Sequence, residues 1–207
     1  MIVILIPAAG RSSRMWGADK LLQTIHAAPI LTRTANTALN ANLGPVLVAL
    51  RPDDTERRNA LNGLNVTCID VPDADEGMAA SLRHGAAKAH ALLREPHHSE
   101  SQSGMMVLLP DMPDIDEGDL QKIATRFTAS GNTPHRAATK DGTPGHPVLF
   151  PSRLLPNFVN LTADEGARLL LANEDVTTVP LSGARATTDL DTPEDWPTWR
   201  NATNTPD

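Results

Sequence analysis

The first twenty residues, Met1-Ile2-Val3-Ile4-Leu5-Ile6-Pro7-Ala8-Ala9-Gly10-Arg11-Ser12-Ser13-Arg14-Met15-Trp16-Gly17-Ala18-Asp19-Lys20, set the frame for the rest of the chain. Ile2–Ile6 is a short continuous apolar run rich in β-branched residues, the pattern of a strand buried on both faces. It stops at Pro7 and opens into a small-residue, basic loop. Small residues at Ala8, Ala9 and Gly10 let backbone N–H groups approach a ligand closely. Arg14 and Lys20 add fixed positive charge, so the loop suits a polyphosphate. It is not a Walker A loop, because Gly-Lys-Ser/Thr is missing, and it is not GxGxxG. An ordinary Gly-containing turn with solvated Arg and Lys explains the same residues equally well.

Outward from this stretch, strands alternate with helices. Pro29 suits the first turn of a helix reaching about Asn42, which Gly44-Pro45 breaks. Val46–Leu50 reads as a second strand, Asp53 and Asp54 cap a polar helix to about Leu61, and Val66–Val71 is a third strand. Ala79–Leu93 is rich in helix formers. Glu95–Gly104 reads as a surface loop. Met105–Leu109 is a fourth buried strand and Glu117–Ala129 a helix. Arg136–Thr139 and Pro147–Phe150 are short strands around a Gly/Pro turn. Glu165–Ala172 is helical, Val176–Pro180 a last strand and Pro193–Trp199 a short helix or turn. The alternation points to a mainly parallel sheet with helices on both faces. One domain is expected over 1–200, with a frayed polar tail over 201–207.

Ligands in such sheets sit beyond the carboxyl ends of the strands, so the residues just after each strand are the ones to weigh for chemistry. Pro110-Asp111-Met112-Pro113 comes after the fourth strand. Asp111 is placed to bind Mg²⁺, which takes one or two protein carboxylates with phosphates and water. A turn or cap aspartate is the commoner use of the residue. Thr188-Asp189-Leu190-Asp191-Thr192-Pro193 can likewise start a capped helix or bring in a second carboxylate from a distant part of the chain. Three signals are weaker. Ser81 lies where a helix opens, His146 comes after a Gly-rich turn, and Asp164 caps a helix; each has a plain structural explanation.

The totals narrow the classes. The chain of 207 residues carries 25 acidic and 18 basic side chains, a net charge of −7, which disfavours a broad nucleic-acid footprint. There is no Tyr and aromatics are 3%, so base-stacking platforms are not expected. The single Cys68 excludes an internal disulfide and reads as a buried strand residue. No run approaches a membrane span and no leader pattern opens the sequence, so a cytoplasmic location is expected. GxSxG, HExxH and EF-hand signatures are absent.

Taken together, PAAGRSSRMWGADKLL, GMAASLRHG, LLPDMPDI, GTPGHPVLF, DEGARLLL and TDLDTPEDW, spread over residues 5–196, resemble the MobA-like NTP transferase family. Within it they are most similar to the molybdenum cofactor cytidylyltransferases. The resemblance implies a Rossmann-like α/β/α sandwich of the nucleotide-diphospho-sugar transferase type. It implies transfer of a nucleoside monophosphate, CMP from CTP by preference, to the phosphate of molybdenum cofactor (molybdopterin). Ala8, Ala9 and Gly10 would lie near base and phosphates, and Arg14 and Lys20 match phosphate-binding positions. Asp111 and Asp191 match the ligands of Mg²⁺, for which Mn²⁺ can substitute, with Asp189 beside them. Ser81 and His146 match positions on the nucleotide or acceptor side. Onward transfer to a molybdoenzyme or its chaperone is the implied partnership; neither nucleic acid nor membrane is implied. The chain departs from the family at Pro7, where Leu is usual, at Trp16, which looks inserted, and at Pro110, where Gly is common. A sugar-phosphate nucleotidyltransferase, a non-catalytic maturation factor and a plain interaction protein are the alternatives.

Overall fold

A computed structural model describes residues 1–12, 15, 17–94, 102–130, 132–162 and 167–203. Arg14, Trp16, most of the loop expected at 95–104, the Asp164 cap and the end of the tail (204–207) lie outside the described residues. Among those described, β1 (Ile2–Pro7), β4 (Val46–Leu50), β5 (Thr67–Asp70), β6 (Gly104–Val107), β7 (His135–Ala138), β8 (Pro144–Pro151) and β9 (Thr177–Pro180) form a sheet in the order β5-β4-β1-β6-β8-β7-β9. The pairs β1–β4, β4–β5, β1–β6 and β7–β9 are parallel, and β8 alone runs antiparallel to its neighbours β6 and β7. The expected mainly parallel sheet is therefore found.

The first strand has no exposed face. Ile2, Ile4 and Ile6 enter one core layer and Val3 and Leu5 the other, the split that period-two alternation imposes on a doubly covered strand. The first layer is closed by α1 (Ile30–Asn40), α4 (Glu117–Ser130) and α6 (Asp195–Thr203), and the second by α3 (Met78–Leu93). Helix α1 buries Ile30, Leu31, Thr34, Ala35 and Ala38, a stripe at helical spacing. It ends two residues before the expected Asn42, which instead takes a left-handed φ of 52°, a conformation asparagine tolerates. Short helices α2 (Thr55–Ala60) and α5 (Arg168–Ala172) complete the set.

Four features depart from the sequence reading. Thr24–Ile25 (β2) and Ala28–Pro29 (β3) pair as a small antiparallel ribbon before α1. Ser152–Asn160 is a 3-10 helix that packs Leu154, Leu155 and Phe158 onto α3. Cys68 is only half-buried, because β5 is an edge strand whose neighbour on one side is β4 and which has no strand on the other among the described residues. The last helix also continues to Thr203, into the stretch expected to fray. No helix among the described residues is long and apolar enough to cross a membrane.

Close packing of α3 on β1 fixes the roof of one core layer. A Cβ built on Gly85 would lie 2.2 Å from Leu5 Cδ2 and 2.6 Å from Cδ1, and Leu5 is fully buried. Gly85→Ala would gain about 1 kcal/mol of helix propensity but overpack this contact by about 1–3 kcal/mol. A net loss of stability in denaturant melts is expected, and a more stable variant would show that the helix can lift at no cost.

Candidate functional site

The loops after β1, β4 and β6 leave the sheet at its carboxyl edge, and a cavity of about 460 Å³ opens among them. The centre of the sheet is the switch point, since β4 lies on one side of β1 and β6 on the other, which is where α/β sheets bind ligands. Lys20, Asp111, Asp191, Ser81 and Gly10 all line this cleft.

The cleft centres on one ammonium. Lys20 Nζ donates to Asp111 Oδ2 at 2.6 Å and to Asp191 Oδ1 at 2.7 Å. Burial works against the charge on Lys20, but the two carboxylates outweigh it and raise its pKa above the usual lysine value. Three elements deliver these groups. Lys20 opens a 3-10 turn capped by Asp19. Asp111 lies beyond the end of β6, and its backbone carbonyl accepts from Leu190 N–H at 3.0 Å, which ties the Asp189–Asp191 segment to it. The carboxylate of Asp195 accepts from the N–H groups of Asp191 and Thr192, fixing that bend at the start of α6. Asp189 is exposed as a residue, yet desolvation of its carboxyl and the charges of Asp191 and Asp111 raise its pKa. Asp111 Oδ1 is buried and has no hydrogen-bond partner among the described residues.

The loop before Lys20 is held from behind by a residue the sequence reading passed over. Arg57, on α2 and 4% exposed, donates from Nη1 to the carbonyls of Ala8 at 2.6 Å and Gly10 at 2.9 Å. Its Nε and Nη2 reach the two oxygens of Asp19 at 2.7 and 2.8 Å. Asp19 in turn accepts from Ser12 Oγ and Leu21 N–H. Burial would raise the Asp19 carboxyl, but the bonds and charge of Arg57 hold it below the usual carboxylate range. Ala8 and Ala9, expected beside the ligand, are buried in the two core layers. The N–H of Ala8 donates to Ala49 O, and Pro7 and Gly10 line the cleft. A Cβ on Gly10 would meet no heavy atom within 4 Å. The fold does not itself demand glycine there. Arg11 and Arg51, also unremarked in the sequence, reach the exposed Asp75 across the rim at 3.2 and 2.8 Å.

His146 lies in a second cavity of about 260 Å³, whose walls include Met78 and Leu109 in common with the first. Burial, reinforced by the charge of Arg136 and opposed by Asp111, lowers its pKa to about 4. Ser81 is buried in the first turn of α3, which begins after Gly77 in a backbone conformation (φ +86°) that favours glycine.

Two outcomes are expected. Arg57→Ala leaves the Asp19 charge without its partner and should cost about 3 kcal/mol of stability. Removing Asp19 as well should cost less than the sum of the single changes, and additivity within about 0.5 kcal/mol in this cycle would dissolve the clamp. For His146 the unfolded chain takes a proton near pH 6.5 while the folded one waits until about pH 4. Stability therefore falls as pH drops through that window, by at most about 2 kcal/mol between pH 7 and 5. His146→Gln should lose that part of the pH dependence; an unchanged slope in parallel denaturant melts would mean that the imidazole is protonated in the folded protein.

A model of the MobA-like NTP transferase domain matches residues 4–178. The chain is 28% identical over 193 residues to the molybdenum cofactor cytidylyltransferase of Escherichia coli (strain K12), covering 93% of this chain and 92% of that protein. It is 26% identical over 209 residues to the purine catabolism protein PucB of Bacillus subtilis (strain 168), covering 94% of each. Among solved structures, Rv0371c of Mycobacterium tuberculosis H37Rv matches with a TM-score of 0.76 at 25% identity, over 97% of this chain and 98% of that one. A complex of Rv0371c with manganese matches at 0.75 and 24%, over 95% and 96%. The expected Rossmann-like α/β/α fold of nucleotidyltransferases agrees with these likenesses. By the length and position of the matched domain, this chain belongs to the MobA-like NTP transferase family.

Proposed function

We propose that this chain is a nucleotidyltransferase that moves CMP from CTP onto the phosphate of molybdenum cofactor and releases pyrophosphate. The observation that carries the reading is the convergence of Lys20, Asp111 and Asp191 in one cleft from three separate stretches of chain. The preference for CTP rests on the Ala8-Ala9-Gly10 pattern and on the cytidylyltransferase relative.

The residues present fit a divalent cation. Asp111 and Asp191 are hard oxygen donors, and Asp111 Oδ1 is buried without a partner among the described residues. No group of three or more His, Cys, Asp and Glu among those residues is arranged to hold a metal. Mg²⁺ or Mn²⁺ would take the two carboxylates and complete its shell from phosphates and water. Asp111 and Asp191 would hold the ion, which when bound supplies positive charge to the α-phosphate and the incoming oxygen.

In the reaction, a phosphate oxygen of the acceptor forms a bond to the α-phosphorus. The bond from that phosphorus to its bridging oxygen breaks, and pyrophosphate leaves with the electron pair. An ionised phosphate needs no general base, so the protein works by placement and charge. Lys20 keeps its proton because two carboxylates face it, and with Arg14 it is assigned the leaving pyrophosphate. Gly10 and Ser81 line the cleft in which the nucleotide would lie. The clamp from Arg57 keeps the backbone at Ala8 and Gly10 in place. The nucleotide product would pass to a molybdoenzyme or its chaperone.

Pyrophosphate release, measured with CTP, GTP, UTP and ATP, should require CTP, a divalent cation and molybdenum cofactor together. Release with a sugar phosphate instead would move the acceptor. Nucleotide binding without release on any acceptor would overturn the transfer reading in favour of a non-catalytic maturation factor. Asp111→Asn should fold normally and lose about 10²–10³-fold in turnover; near-normal turnover by the folded variant would remove Asp111 from the reaction.

A further inference from the structure

We propose that Arg185 and Trp199 are positioning residues that set the spacing of the Asp111 and Asp191 carboxylates and so the affinity of the cleft for its divalent cation, a role that rests on the reading of both carboxylates as cation ligands. Asp111 lies between β6 and α4 and Asp191 between β9 and α6, so neither is carried by a strand or a helix. Two stretches of loop must therefore be held in register by contacts between them. The bond from Leu190 N–H to the Asp111 carbonyl is one such contact. Two more converge on Asp114, which follows Asp111 in the same loop. Arg185 Nε donates to the carbonyl of Asp114 at 2.6 Å, and Trp199 Nε1 donates to its Oδ1 at 2.8 Å. Arg185 precedes Asp191 in the chain and Trp199 follows it. Both flanks of Asp191 are thus pinned to one residue of the Asp111 loop.

The other ends of these pins are themselves fixed. Arg185 belongs to a turn seated on β8, where His146 N–H donates to Ala186 O at 2.8 Å and a Cβ on Gly145 would lie 1.8 Å from that oxygen. Its guanidinium also reaches the carboxylates of Asp116 and Asp119. Those two carboxylates each accept from the other residue's backbone N–H at the start of α4. Trp199 is 9% exposed and lies one helical turn after Asp195 on α6. Residues at that spacing share a helix face. The Asp195 carboxylate takes the N–H groups of Asp191 and Thr192, so one helix holds the Asp191 backbone with one side chain and the Asp111 loop with another. A buried indole N–H needs an acceptor, but that need does not by itself select the loop of the cation site. Groups that orient metal ligands from outside govern affinity for the metal.

Mn²⁺ binding is measured by electron paramagnetic resonance, alone and with CTP, on wild type, Arg185→Met, Trp199→Phe, Asp114→Asn and Asp111→Asn, with folding checked by circular dichroism. Arg185→Met and Trp199→Phe should each weaken Mn²⁺ binding about tenfold or more. Charge alone predicts the reverse for Arg185→Met, because removing a positive charge favours a bound cation, so the direction separates placement from electrostatics. Asp114→Asn keeps an acceptor for Trp199 and the carbonyl for Arg185, and should retain wild-type affinity. Trp199→Phe keeps most of the ring's packing and reports even if Arg185→Met does not fold. Wild-type or tighter binding by either folded variant overturns the proposal. An equal loss in Asp114→Asn would assign the effect to the charge of Asp114 and overturn it as well. If Asp111→Asn binds Mn²⁺ as the wild type does, or the wild type binds none, the ligand reading fails and the positioning role with it. Loss in Asp111→Asn alone strikes the positioning role and leaves the ligand reading standing.

Discussion

An ammonium between two carboxylates is the constraint around which this protein is arranged. Lys20 meets Asp111 and Asp191 across sequence separations of 91 and 171 residues. The contact therefore exists only if the first loop, the end of β6 and the approach to α6 all arrive at one place. Holding three charged groups at side-chain exposures of 15%, 15% and 28% carries a desolvation penalty that mutual attraction offsets only when geometry is good. The one residual negative charge of the trio, and the unbonded Asp111 Oδ1, leave the arrangement electrostatically incomplete by itself. That is a reasonable state for a site whose other members are a cation and a polyphosphate, and a poor one for a salt bridge kept only for stability.

A loop rich in small residues could not hold Lys20 at that point alone. Its rigidity is borrowed from α2, where a single guanidinium holds two backbone carbonyls and the carboxylate of Asp19, with the carboxylate of Asp54 also 3.4 Å from its Nε. The planar fork of arginine suits such simultaneous bonding, and lysine could not reproduce it. The chain thus places one cation behind the loop, where it organises backbone, and another in front, where it faces the ligand space. The same division recurs at the rim. There Asp75 draws Arg11 and Arg51 together over the cleft, but at an exposed carboxylate, where an ion pair is weak.

The parts legible in the sequence were those with a local signature. Ile2–Ile6 and Val46–Leu50 are apolar throughout because both faces are covered, and the charged residues just beyond the strands stood out against that background. Strands β2 and β3 have two residues each, too few for any periodicity. The 3-10 helix at Ser152–Asn160 contains Pro156, which argues against a helix of the usual kind. Arg57 was hidden because Arg57 and Arg58 are adjacent in a polar segment, where a solvated face is the ordinary reading. A weak clue existed in that Leu61 is buried, and residues four apart share a helix face. The burial of Ala8 and Ala9 was not legible for a related reason. Small residues permit close approach, but composition cannot say whether a ligand or the protein's own layers make it.

Two cavities that meet at Met78 and Leu109 divide the chemistry in a way the fold makes natural. The first sits over the parallel half of the sheet, where β1, β4 and β6 end together, the loops after β1 and β6 carry Lys20 and Asp111, and the approach to α6 adds Asp191. The second uses β8, the strand that runs against its neighbours, together with β7 and α5. Reversing one strand places the start of β8, and with it His146, beside the carboxyl end of β6 and so near Asp111. A parallel strand in the same position would present its opposite end. Met78 stands at the junction and is 44% exposed; an unbranched, polarisable side chain can adapt to ligands on either side of it. The antiparallel strand is thus what allows one sheet edge to border both a cleft lined by Asp111 and Asp191 and a second one lined by Arg136, Arg168 and apolar side chains.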